Sequence, residues 1–130
     1  MQALLITDQL DEEALLSIGL QTAGFSVRST HGLEHTFETW PEDPADFILW
    51  AVSTCDENMV DLVAQLRAVA IVPLLIITYE IEEELHIRLL DKGADLVVFR
   101  PYSFRLLIQQ IRSLSRRASP LLIKSDKEPR

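Results

Sequence analysis

The sequence predicts an α/β fold: a parallel, doubly wound five-stranded sheet. Three observations carry that prediction. Five short apolar runs alternate with five stretches of helical spacing. The last three runs are apolar at nearly every position, which requires helices on both faces of the sheet. Gly24 and Gly93 stand where the first and fourth helical patterns stop.

ALLIT (3–7) forms the first strand and runs into Asp8. In DEEALLSIGLQTAG, Leu15, Ile18 and Thr22 fall at helical spacing with Leu16 beside them, and acids crowd the first turn. FSVRS (25–29) alternates as an outer strand does. Residues 32–40 make a short helix that PEDP ends, with Trp40 expected to plug the sheet edge.

The strand 46–52 ends on Ala51 and Val52, and Trp50 should face the opposite side of the sheet from Ala51. Asp56 is the expected cap of a helix over 57–69, whose inward face carries Met59, Leu62, Val63, Leu66 and Val69. VPLLIITY (72–79) is the fourth strand. EIEEELHIRLLDKG is the fourth helix, with Glu84 placed to pair with Arg88 one turn on. DLVVF (95–99) is the fifth strand. Ser103 caps a last helix whose stripe is Phe104, Leu107, Ile108, Ile111 and Leu114. Residues 1–118 therefore read as one domain, and 119–130 as a linker or C-terminal tail.

Composition narrows the function classes. With 48% apolar and 25% charged residues the chain is an ordinary globular one, not a disordered segment. The apolar run AVAIVPLLII is broken by Pro73 and is too short to span a bilayer, and Met1 leads into a strand pattern rather than a charged signal region. A single cysteine, Cys55, forms no internal disulfide, which suits a reducing cytoplasm.

The net charge of −8 divides unevenly, with 18 acids and 4 Lys or Arg in residues 1–99, and 2 acids and 8 Lys or Arg in 100–130. Nucleic-acid contact is one reading of that basic end. Basic residues at helix C-termini plus a solvated tail is the preferred one, so direct nucleic-acid binding is not expected. Arg105, Arg112 and Arg116 then form a solvated face. His31, His35 and His86 match no zinc spacing, His86 covering the fourth helix.

In such sheets ligands sit at the carboxyl ends of the strands. There, and over residues 1–118, the chain resembles a bacterial response-regulator receiver domain of the CheY-like kind. The segment KGADLVVFRPYSFRLLIQQIRSLSRR is similar to the family's Gly-Ala-Asp, fifth strand, Lys-Pro dipeptide and last helix opened by an aromatic. Its Ser-Arg-Arg ending resembles the subfamily whose receivers precede a winged-helix DNA-binding domain. The resemblance implies a flavodoxin-like strand order of 2-1-3-4-5 and, in an intact member, Mg²⁺-dependent transfer of a phosphoryl group to an aspartate.

Carried over by position, the family's acidic pair falls on Thr7 and Asp8, and its acceptor aspartate on Ala51. The hydroxyl position is Thr78 and the lysine position Arg100. The switch aromatic falls on Val97, and the Pro and Gly after the acceptor on Cys55 and Met59. Asp8 and Thr78 match the pattern. A methyl group at position 51 accepts no phosphoryl group, and Asp8 against Arg100 leaves no surplus negative charge to dehydrate a divalent cation. The expectation is thus a pseudo-receiver with no catalytic residue, no cofactor and no metal, in which Arg100 pairs with Asp8, or with Thr78 forms a small anion site.

The resemblance also implies output through the face of the fourth helix, fifth strand and fifth helix. Arg88, Leu89, Leu96, Leu106 and Gln110 fall there, more apolar than the family's charged pairs, and point to a homodimer or a protein partner. The expected role is phosphorylation-independent regulation of transcription, not catalysis, through an attached or partner DNA-binding domain. The alternative is a phosphoryl acceptor using a non-standard residue among Ser53, Thr54, Cys55 and Asp56.

Overall fold

The computed structural model describes residues 1–118; the expected linker or tail, 119–130, lies outside the described residues. The element order is β1 (Gln2–Thr7), α1 (Leu10–Thr22), β2 (Ser26–Thr30), α2 (Leu33–Thr39) and β3 (Phe47–Ala51), then α3 (Glu57–Val69), β4 (Leu74–Thr78), α4 (Glu83–Lys92), β5 (Leu96–Phe99) and α5 (Phe104–Ala118). The strands form one parallel sheet in the order β2-β1-β3-β4-β5. Thr7 pairs with Ala51, Ala51 with Ile77, and Thr78 with Phe99, so the carboxyl ends of β1, β3, β4 and β5 lie side by side.

The period of two along β3 builds both core layers. Ile48 and Trp50 join Trp40, Met59, Val63, Leu66, Leu85 and Leu89 under α2, α3 and α4. Phe47, Leu49 and Ala51 join Leu16, Leu20, Leu107, Ile108 and Ile111 under α1 and α5. Each large side chain so buried contributes about 1.5–3 kcal/mol, which fixes the register and hence the alignment of the strand ends. The α5 stripe holds as expected, with Leu107, Ile108 and Ile111 buried and Phe104 and Leu114 packed beside them. Asp56 and Ser103 cap their helices, accepting from the N–H groups of Asn58 and Leu106.

Four packing expectations are corrected. The inward face of α1 is Leu16 and Leu20, whereas Leu15 and Ile18 are 72% and 62% exposed. The Phe104 ring lies directly over Gly19, so α5 approaches α1 on the face where no side chain intervenes. On α3, Val60 is buried and Leu62 only half-buried, while Val69 is exposed because Ala70 takes the last inward position. Arg88 pairs with Glu57 at the start of the neighbouring α3 rather than with Glu84 on its own helix. Arg112 is not part of a free solvated face: its guanidinium donates to the Ala23 carbonyl and lies over the Phe25 ring.

Arg67 ties the far end of the sheet. It donates to the carbonyls of Ala70, Val72 and Gly93 and to the Asp95 carboxylate, which in turn accepts the Leu74 N–H at 2.8 Å. Asp95 of the Gly-Ala-Asp segment is thereby a structural residue that fixes where β4 and β5 begin.

Candidate functional site

Thr7, Asp8, Ala51, Thr78 and Arg100 converge at the carboxyl ends of β1, β3, β4 and β5, because the parallel register brings those ends together. Ala51 is fully buried, its methyl group packed on the α1 and α5 side of the sheet. Thr7 is buried as well, and its hydroxyl is taken by the Gln9 N–H at 3.1 Å. Asp8 is exposed, accepting from the Ser53 hydroxyl at 3.3 Å and the Gln9 amide at 3.4 Å.

Arg100 does not pair with Asp8. Its guanidinium holds Glu12, on the first turn of α1, with Nε at 3.0 and 3.2 Å from the two carboxylate oxygens and Nη2 at 2.6 Å. Nη1 donates to the Val52 carbonyl at 2.7 Å, and the Tyr79 ring lies 4.8 Å from the guanidinium carbon. The Tyr102 hydroxyl donates to Glu12 at 3.0 Å. Both partners of this pair are largely enclosed, at 11% and 16% side-chain exposure. Burial alone would lower the Arg100 pKa; the hydrogen bonds and charge of Glu12, with Tyr79 and Tyr102, outweigh it and hold the pKa above its ordinary value.

The fork explains the choice of partner. A planar guanidinium gains two parallel bonds from a carboxylate that faces it, which a carboxylate turned toward Ser53 does not offer. Sequence spacing concealed this, since Glu12 read as one of several first-turn acids and Tyr102 as the aromatic opening the last helix. The signal was present in that clustering, one helical turn beyond Asp8.

With Arg100 so occupied, Thr78 and Arg100 do not form an open anion site. Thr78 is buried, and its hydroxyl faces the Cys55 thiol. Burial pushes the Cys55 thiol pKa up, and Asp56 adds to that, against the opposing hydrogen bond of Thr78. The donor set does not fit an octahedral magnesium ion. Asp8 supplies one carboxylate, Ala51 supplies none, and the Thr7 hydroxyl is already taken. Among the described residues no three His, Cys, Asp or Glu side chains come together as metal ligands.

The expected output-face residues separate. Leu89 is fully buried in the cluster with Leu85 and the sheet and so presents no surface, a correction imposed by the inward stripe of α4. Leu106 is 57% exposed, Leu96 and Gln110 are half-buried, and Arg88 is engaged with Glu57. Ile87 and Leu90, which the sequence pattern does not single out, are the exposed apolar residues of α4. His86 lies edge-on to the Phe99 ring, 5.2 Å between centroids, and His31 pairs with Glu13. Among the described residues no helix is long and apolar enough to cross a membrane.

No protein-family model matches the chain. The transcriptional regulatory protein CusR of Escherichia coli K12 is 28% identical over 126 residues, covering 96% of this chain and 56% of that protein. The transcriptional regulatory protein GltR of Pseudomonas aeruginosa is 30% identical over 118 residues, covering 88% of this chain and 49% of that protein. The chain thus spans about half the length of the curated relatives it matches. A two-component response regulator from Clostridium difficile superposes with a TM-score of 0.80 at 21% identity, over 90% of this chain and 97% of that one.

Proposed function

We propose that this chain, which has the CheY-like receiver fold and response regulators as its relatives, signals without phosphorylation. It acts as a protein-interaction module that regulates transcription. One observation carries the reading: the acceptor position holds a buried methyl group, while the cation beside it is already neutralised from within by Glu12. A receiver switches because a phosphoryl group supplies new negative charge to a waiting cation and hydroxyl. Here neither is waiting.

Output then passes through contacts alone. The face built from α4, β5 and α5 carries Ile87, Leu90 and Leu106 in the open, with Arg88, Leu96 and Gln110 beside them. Exposed leucine and isoleucine on neighbouring elements favour an apolar contact with a second copy of the chain. Relatives about twice this length that are transcriptional regulatory proteins support an attached or partner DNA-binding domain as the output.

Sedimentation velocity tests the reading. The expected result is a concentration-dependent dimer that is unchanged by a small phosphodonor with Mg²⁺ and is lost in Leu106→Asp. A monomer at all concentrations, or a dimer that forms only with phosphodonor, overturns it.

A further inference from the structure

We propose that the cleft between the carboxyl ends of β1 and β3 and the start of α2 binds a small organic amine, a cationic head on an apolar body. The cleft encloses about 310 Å³, within the range of small-molecule sites. Its walls are apolar, formed by Ile6, Leu33, Trp50, Val52 and Leu62 on the α2 and α3 side of the sheet. Two carboxylates, Asp8 and Glu34, stand among its lining residues.

Nothing among the described residues balances those two charges: neither Asp8 nor Glu34 takes part in an ion pair. His31 also lines the cleft, but its ring nitrogen is bound to Glu13 at 2.9 Å. Arg100, the cation just past the end of β5, is turned to Glu12. An apolar hollow with a negative, uncompensated lining complements a hydrocarbon that carries positive charge. An ammonium group donates to carboxylate oxygens with charge-assisted strength, and the body leaves water for the hollow. A hydrated metal ion is the poorer match, since it gains nothing from apolar walls and lacks a third carboxylate.

Titration of the ¹⁵N-labelled 130-residue chain with 2-phenylethylamine tests the proposal, with 3-phenylpropionate and methylammonium as controls for charge and body. Saturable shifts are expected at the amides of Thr7, Asp8, Leu33, Glu34 and Ala51 with the amine, and none with either control. Asp8→Asn and Glu34→Gln should each weaken binding about tenfold while the remaining spectrum stays folded. No saturable shift, an equal response to 3-phenylpropionate, or shifts confined to the exposed Leu15 and Ile18 of α1 overturn the proposal. Intact mass after incubation with a phosphodonor and Mg²⁺ is read in parallel. A phosphoryl adduct sinks the phosphorylation-independent reading, whereas unchanged mass without amine binding sinks the amine site alone.

Discussion

Arg100 and Glu12 lie 88 positions apart in the chain and meet in a two-pronged ion pair, 2.6 Å at its shortest, that fastens α1 to the end of β5. Removing the carboxylate leaves an arginine enclosed at 11% exposure with only the Val52 carbonyl and the Tyr79 ring for company. Glu12→Ala should therefore lower stability by about 3 kcal/mol, read as a fall in the urea midpoint with unchanged m. Arg100→Lys, which keeps the charge but loses the fork, should fall between wild type and Glu12→Ala. A Glu12→Ala midpoint equal to wild type would show that the pair is not what holds α1 in place.

The same cluster sets an alkaline limit. Burial, and then the hydrogen bond and charge of Glu12, raise the Tyr102 pKa above the ordinary phenol value. A phenol whose folded pKa exceeds its unfolded one contributes stability that is complete below about pH 10 and is lost as pH rises above it, because the unfolded chain releases its proton first. Urea unfolding at rising pH should show that loss begin near the unfolded phenol pKa. In Glu12→Ala, Tyr102 should ionise closer to its ordinary value, visible in the ultraviolet titration of tyrosinate.

Cys55 should be a slow thiol. Burial and Asp56 disfavour its thiolate despite the Thr78 hydroxyl. Alkylation of the folded protein with iodoacetamide at mildly alkaline pH should run several-fold slower than that of a free cysteine and become ordinary in urea. Faster alkylation than the free amino acid would reveal an activated thiol and revive Cys55 as a reactive group.

Gly93 is constrained from two sides. Its φ of +134° lies where L side chains rarely settle, and an added Cβ would come within 2.9 Å of the Arg67 side chain. Gly93→Ala should cost about 2 kcal/mol. Arg67→Met should cost a similar ~2 kcal/mol by stripping partners from the Gly93, Ala70 and Val72 carbonyls. The two losses should not add, since both disrupt one cluster.

The sheet was legible because periodicity and burial act locally: continuous apolar runs at 46–52, 72–79 and 95–99 admit few arrangements other than a covered parallel sheet. The strand ends, and with them Thr7, Asp8, Ala51, Thr78 and Arg100, followed from that. Two kinds of information were not legible. The rotation of α1, which buries Leu16 and Leu20 and exposes Leu15 and Ile18, depends on how closely Phe104 approaches Gly19. The partner of a long side chain depends on what the fold brings within reach. Arg100 chose Glu12 over Asp8, and Arg88 chose Glu57 over Glu84, because neighbouring elements offered better-facing carboxylates than chain proximity did.

The most direct test of the central claim is the intact mass of the wild-type chain after exposure to a small phosphodonor with Mg²⁺. The mass should be unchanged, and Thr7→Asp, Ala51→Asp and Arg100→Lys together should gain one phosphoryl group on the restored aspartate. A wild-type chain heavier by one phosphoryl group, with the adduct mapped to the strand ends around residue 51, would contradict it.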